Sequence, residues 1–68
     1  MVRVLVVEDE ANIRDMIALN LRHAGMEVVE AESAEAALPL LACHIVVTRS
    51  EEVEALCKAQ GGPVLRHA

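Results

Sequence analysis

The chain contains no Phe, Tyr or Trp. Its core must therefore be assembled from Val, Leu, Ile, Ala and Met, none of which brings the buried area of an aromatic ring. Cysteine is scarce: Cys43 and Cys57 stand alone, with no CxxC or Cys/His cluster around them. No secretory signal accompanies them, so a disulfide framework is not expected and both thiols are read as reduced. Basic residues are also few. Lys and Arg total 6 against 11 Asp and Glu, for a formal net charge of -5. They form no patch able to neutralise phosphates, which argues against nucleic acid as a partner. Nor is there a long hydrophobic run. The apolar stretch from Val4 to Val7 is stopped by acidic residues, far too early for a signal peptide or a membrane span. A cytoplasmic location without membrane contact is the matching expectation.

What remains is a small, apolar chain. Its 68 residues make one domain at most, residues 1–68, and a chain of this size buries only about 60% of its unfolded surface. The apolar fraction is nonetheless 54%, above the usual ~45–50%. So much small apolar surface on so short a chain is a first sign of self-association.

Residues 2–7 are apolar apart from Arg3 and end at Glu8-Asp9-Glu10. A short β-branched run of this kind reads as a strand buried on both faces, as in parallel sheets. The period then changes. Ile13, Met16, Ile17, Leu21 and Ala24 recur at spacings of three and four, an apolar helical stripe. Asp9 is placed to cap that helix and Gly25 to end it, with Arg22 and His23 in the last turn. Residues 26–31, centred on Val28 and Val29, give a second strand. Ser33 should cap a second helix reaching about Ala42, with Ala34, Ala37, Leu38 and Leu41 facing inward. Pro39 costs such a helix about 3 kcal/mol in an interior turn, so a kink or an end near Leu38 is predicted.

Ile45-Val46-Val47 forms the centre of a third strand over residues 44–48. Ser50 caps a third helix over residues 51–60, whose apolar set of Val53, Leu56 and Cys57, with Gln60 at its margin, is thin. Gly61-Gly62 ends it, and Pro63-Val64-Leu65 supplies a last short strand. The order is βαβαβαβ. With right-handed crossovers it predicts an α/β domain, a parallel sheet of about four strands with helices on both faces. The strand–helix–glycine units beginning at Val4 and His44 echo one another faintly.

Glu8 and Asp9 lie at the carboxyl end of the first strand, the end where open α/β sheets bind ligands. Carboxylates converging there suit Mg²⁺, which takes one or two of them with waters and phosphate oxygens. Acidic residues at a helix start also act through the dipole alone, and position by itself does not separate the two roles. His23, His44 and His67 lack metal-ligand spacing and are read as structural or solvent-facing.

The surrounding residues add a resemblance. Val4-Leu5-Val6-Val7-Glu8-Asp9-Glu10, then Ile13-Arg14, residues 19–21, Ala24-Gly25-Met26, and Val28 with Ala31 and Ala36-Ala37-Leu38 resemble the first half of a response-regulator receiver domain. Receivers joined to winged-helix DNA-binding domains are the nearest in character. The resemblance covers residues 1–38 and implies a flavodoxin-like fold with strand order 2-1-3-4-5. It makes Asp9 the counterpart of the metal-binding aspartate and Glu8 its acidic neighbour.

Past Leu41 the resemblance weakens. A receiver's third strand ends in an aspartate that takes a phosphoryl group from a kinase histidine, whereas this strand ends in Thr48-Arg49. Thr48, the nearest counterpart, is a neutral alcohol with no adjacent base to activate it. Arg49 adds a positive charge able to pair with Asp9 and displace an ion. Leu65-Arg66-His67-Ala68 stands where a Ser or Thr followed by Ala is usual, and a fifth strand with its lysine has no counterpart. Residues 44–68 instead resemble the opening βαβ of uroporphyrinogen-III synthases, through Val46-Val47-Thr48-Arg49 and Gly61-Gly62.

These readings set the functional expectations. The first is a receiver-derived fragment or engineered chimera, a flavodoxin-like half-domain that is structural and completed by self-association, most simply as a homodimer. Without a last helix, Val4, Val6, Ile45 and Val47, or their neighbours, should be partly uncovered, and exposed faces and open edges drive association. The second is a degenerate receiver of two-component signalling that binds a partner protein. The third is a fragment of a tetrapyrrole-synthesis enzyme, though too little chain remains for its cleft. The first implies no enzymatic activity, no phosphoacceptor and no histidine-kinase contact. It needs no cofactor beyond weak Mg²⁺ at Glu8 and Asp9.

Overall fold

The computed structural model of the protein describes residues 2–43 and 45–66. The readings of His44, His67 and the Cys43 side chain lie outside the described residues. Strand β1 is Arg3–Val7, helix α1 Ala11–His23, strand β2 Glu27–Ala31 and helix α2 Ala34–Ala37. A 3-10 segment, Leu38–Cys43, leads to strand β3 Ile45–Thr48, helix α3 Glu51–Ala59 and strand β4 Val64–Arg66. All strand pairs are parallel, and the sheet order is β2-β1-β3-β4. The predicted α/β architecture is present. No helix among the described residues is long and apolar enough to cross a membrane.

The β1 run forms the centre of the sheet. Val4, Leu5, Val6 and Val7 are all buried, as a strand covered on both faces requires. On one face Leu5 and Val7 pack with Val46, Leu41, Val53 and Cys57 beneath α2, the 3-10 segment and α3. On the other, Val4 and Val6 pack with Val47 against Ile17 and Leu21 of α1. Arg14 and Arg22 of α1 reach Glu30 of β2 at 3.6 and 3.4 Å, which fastens the helix across the first two strands.

Both long helices end alike. The Gly25 N–H donates to Arg22 O and the Met26 N–H to Leu21 O; after α3, Gly61 donates to Lys58 O and Gly62 to Cys57 O. These are Schellman caps, in which the C′ residue takes a left-handed conformation that suits glycine. Gly25 and Gly61 have φ of 87° and 77°. The faint echo between the two units is thus a shared helix-ending device.

Several local expectations need correction. α1 starts after Glu10 rather than Asp9, and the Glu10 side chain makes no capping hydrogen bond. Within its stripe Met16 and Ala24 are exposed, while Ala18 is the buried residue. Ala24 is the C-cap, beyond the last packed turn, and Ala18 has the small side chain that close packing on the sheet allows. α2, by contrast, stops at Ala37, in keeping with the end predicted near Leu38, and the chain tightens into 3-10 geometry through Pro39. The ring's clash with a helical carbonyl is the reason. Leu38 is consequently exposed while Ala37 and Leu41 stay inward. Ser33 and Ser50 do cap α2 and α3, accepting from Ala36 N at 3.1 Å and Val53 N at 3.3 Å.

The expected uncovered sheet face is displaced. Val6, Val47 and Leu65 are register partners across β1, β3 and β4, so they share the α1 face. Their exposure rises along that row, from 0% to 9% to 61%. α1 therefore covers Val4, Val6 and Val47, contrary to expectation, and Ile45 is half-buried. Along this row the bare apolar side chain is Leu65, at the β4 margin.

Candidate functional site

The carboxyl ends of β1 and β3 meet where the chain order of the sheet reverses, the position at which such sheets form a crevice. A cleft of about 440 Å³ opens there. Its wall is Val7, Glu8 and Asp9 after β1, Glu32, Ser33 and Ala34 at the start of α2, and Arg49, Ser50 and Glu52 at the start of α3. Four carboxylates and one guanidinium thus line a single depression.

Glu8 and Asp9 behave differently although adjacent. The Glu8 side chain is fully buried and the Asp9 side chain largely exposed. A buried carboxylate needs charge pairing and donors, and Glu8 has both. The Glu10 N–H donates to its Oε2 at 2.9 Å. Arg49 Nη2 donates to the same oxygen at 3.1 Å, and Arg49 Nε lies 2.9 Å from Oε1. The guanidinium thus hydrogen-bonds Oε2 and stands as an ion pair beside Oε1. Arg14 Nη1 adds a 2.8 Å bond to the Glu8 carbonyl oxygen and holds the backbone there.

Asp9 is the secondary partner, with Oδ1 at 3.6 Å from Arg49 Nη2. The sequence expectation of an Arg49 pair is met, but the chief partner is Glu8 and not Asp9. Burial decides this, because the desolvated carboxylate gains more from the cation than the hydrated one. The Asp9 carboxyl is held below its ordinary value of 3.8, first by hydrogen bonding with the Glu8 carboxyl. Its own backbone N–H and the Arg49 guanidinium act in the same direction, against desolvation.

Thr48 does stand at the end of β3, yet it does not line the cleft. Its side chain is fully buried, and its hydroxyl oxygen accepts the Ser50 N–H at 3.0 Å. It braces the turn into α3. The side chain that reaches the acidic corner from β3 is Arg49.

The corner does not fit Mg²⁺. That ion demands near-octahedral oxygen ligands at about 2.0–2.1 Å, and the Glu8 oxygens are engaged by a guanidinium. Among the described residues no group of three or more His, Cys, Asp or Glu side chains is placed to hold a metal ion. Glu32 and Glu52, which complete the acidic lining, were not singled out as site residues from the sequence. Their signal was positional: each lies one or two residues beyond a strand or cap at the same sheet end.

Among solved structures, the chain matches the Vibrio cholerae chemotaxis protein CheY4, crystallised at low pH (4.0), with a TM-score of 0.61 and 21% identity. The match covers 100% of this chain and 86% of that one. The fold is receiver-like. No family model matches the chain, and no curated protein does. The structural likeness extends through residues 44–66, where a synthase-type βαβ was expected. It supports the receiver-like architecture there and not the uroporphyrinogen-III synthase resemblance.

Proposed function

We propose that this chain is a receiver-like interaction module that pairs with a second copy of itself and takes no phosphoryl group. The observation that carries the second half is the end of β3, where the neutral hydroxyl is buried against the Ser50 N–H and the side chain in the acidic corner is a guanidinium paired with Glu8. Phosphoryl transfer depends on a nucleophile and on cations free to neutralise developing charge. Among the described residues the Thr48 hydroxyl hydrogen-bonds the Ser50 N–H and no carboxylate or imidazole, and the charge of Arg49 is already shared with Glu8 and Asp9. The module is then not an enzyme and works without a cofactor or a histidine kinase. Pairing is supported by the exposed Leu65 at the β4 margin and by Met16 and Leu19 on α1, since apolar surface beside an open strand edge favours association. A cytoplasmic location accompanies this reading, in keeping with the free, buried Cys57 thiol. Whether the chain is a natural fragment or an engineered chimera does not alter the chemistry proposed.

Incubation with acetyl phosphate and Mg²⁺, followed by intact-mass measurement, should leave the mass unchanged; an aspartyl-phosphate adduct overturns the reading. Light scattering on a sizing column at micromolar concentration should report a dimer. A monomer there, together with capture by a receiver's cognate kinase, would favour a degenerate receiver docked on another protein, for which the exposed Met16 and Leu19 offer a surface.

A further inference from the structure

The acidic corner has the charge of a cation site and the geometry of a filled one. Glu8 and Asp9 converge after β1, and Glu32 and Glu52 stand across the cleft. Fully buried, the Glu8 carboxylate cannot be left to water. Its partner comes from the same chain, 41 positions away, and joins the end of β1 to the start of α3. We infer that Arg49 is the resident cation of this corner, a covalently tethered replacement for a divalent ion, and that it makes the β1–β3–α3 junction independent of metal.

Three observations support the assignment. The guanidinium engages both Glu8 oxygens, at 2.9 and 3.1 Å, and also reaches Asp9 at 3.6 Å. An ion bridging the two carboxylates would have to occupy the space Arg49 fills. The neutral hydroxyl of Thr48, a third potential oxygen ligand, is turned to the Ser50 N–H. Finally, Arg49 follows directly on β3, so the sheet fixes where its side chain starts, and that side chain is 44% exposed, at the mouth of the corner rather than in the core. A tethered cation of this kind holds the junction in one arrangement regardless of the ion content of the solution. The assignment holds whether or not two copies pair.

The test compares the full chain with Arg49→Gln and Arg49→Ala. Each is titrated with Mg²⁺ to about 10 mM, a range that covers weak carboxylate sites, and followed through the backbone amide signals of residues 8–10 and through Tm. The unaltered chain should show no saturable shift and no gain in Tm over the same protein in chelator. Arg49→Gln keeps most of the side chain's length and hydrogen bonding but drops its charge. It should gain both a saturable shift at residues 8–10 and a Mg²⁺-dependent rise in Tm, because a ligand that binds only the folded form stabilises it. Arg49→Ala should respond in the same way and regain in Mg²⁺ part of the Tm it loses. A saturable Mg²⁺ response in the unaltered chain overturns the inference. So does a folded Arg49→Gln that ignores the ion, or failure of both variants to fold even in Mg²⁺, since the ion then cannot take the guanidinium's place.

Discussion

Neutralising Arg49 should destabilise the fold in a way that a second substitution relieves. The Glu8 side chain is fully buried, whereas Arg49 is 44% exposed. Removing one partner of a fully buried pair costs about 3–5 kcal/mol, and a fully exposed pair is worth about 0–1 kcal/mol. The pair here lies between those limits, so Arg49→Gln should cost about 2 kcal/mol. A domain of this length has on the order of 3–10 kcal/mol of total stability. At about 4–8 °C per kcal/mol, the expected loss in Tm is roughly 8–16 °C. Glu8→Gln removes the buried charge and leaves Arg49 to water, so it should cost less, about 1 kcal/mol. The double variant should be no worse than Arg49→Gln alone, giving a coupling of about 1 kcal/mol or more. Thermal and urea unfolding followed by circular dichroism, at one protein concentration and in chelator, would measure the cycle. A Tm for Arg49→Gln within a degree or two of the parent, or strictly additive single effects, would refute the account of this corner.

Three further outcomes follow from the same structure. Gly25→Ala should cost about 1 kcal/mol through backbone conformation alone, because φ is 87° and an added Cβ meets nothing within 4 Å; an unchanged urea midpoint would count against the Schellman cap. Leu5→Ala, at a fully buried position in the sheet's centre, should cost about 2–5 kcal/mol and leave much of the chain unfolded at 25 °C, as read by loss of amide dispersion. The Asp9 carboxyl should titrate below 3.8 in a carbon-detected NMR titration. Because folding lowers its value, the charged form favours the fold above the unfolded-state value, and that contribution is lost as pH falls through the folded one. A midpoint at or above 3.8 would contradict it.

Much of the fold is legible from local chemistry. The β-branched runs around Val6 and Val46 become the two central strands, Gly25 and Gly61 become the left-handed caps, and Ser33 and Ser50 cap the helices that follow them. Each of these is decided by a few neighbouring residues. What was not legible depends on where elements meet. A helical stripe shows that one face is apolar but not where its centre lies, so the spacing points to Met16, which is exposed, and passes over Ala18, which is buried. The sheet face expected to lie open is closed over Val6 by Ile17 and Leu21. The opening moved two strands away to Leu65, a shift visible only from the register linking Val6, Val47 and Leu65.

The site shows the same division more sharply. Thr48 and Arg49 are adjacent, and the receiver resemblance makes Thr48 the counterpart of the phosphoacceptor, a neutral alcohol in its place. Thr48 pairs in register with Val7 and therefore shares the face that packs beneath α2 and α3, because successive side chains on a strand point to opposite sides. Its hydroxyl is drawn inward and satisfied by the Ser50 N–H. Arg49, the first residue past the strand, is the one that reaches across to Glu8. The alternation of a strand, which a single residue's displacement would reverse, thus sets which of two neighbours meets the carboxylates. With the alcohol turned into the core and the guanidinium turned to the acids, the buried Glu8 carboxylate is paired from within the chain. A carboxylate introduced at position 48 would lie on the buried face, beside Val7, where it would need a donor of its own.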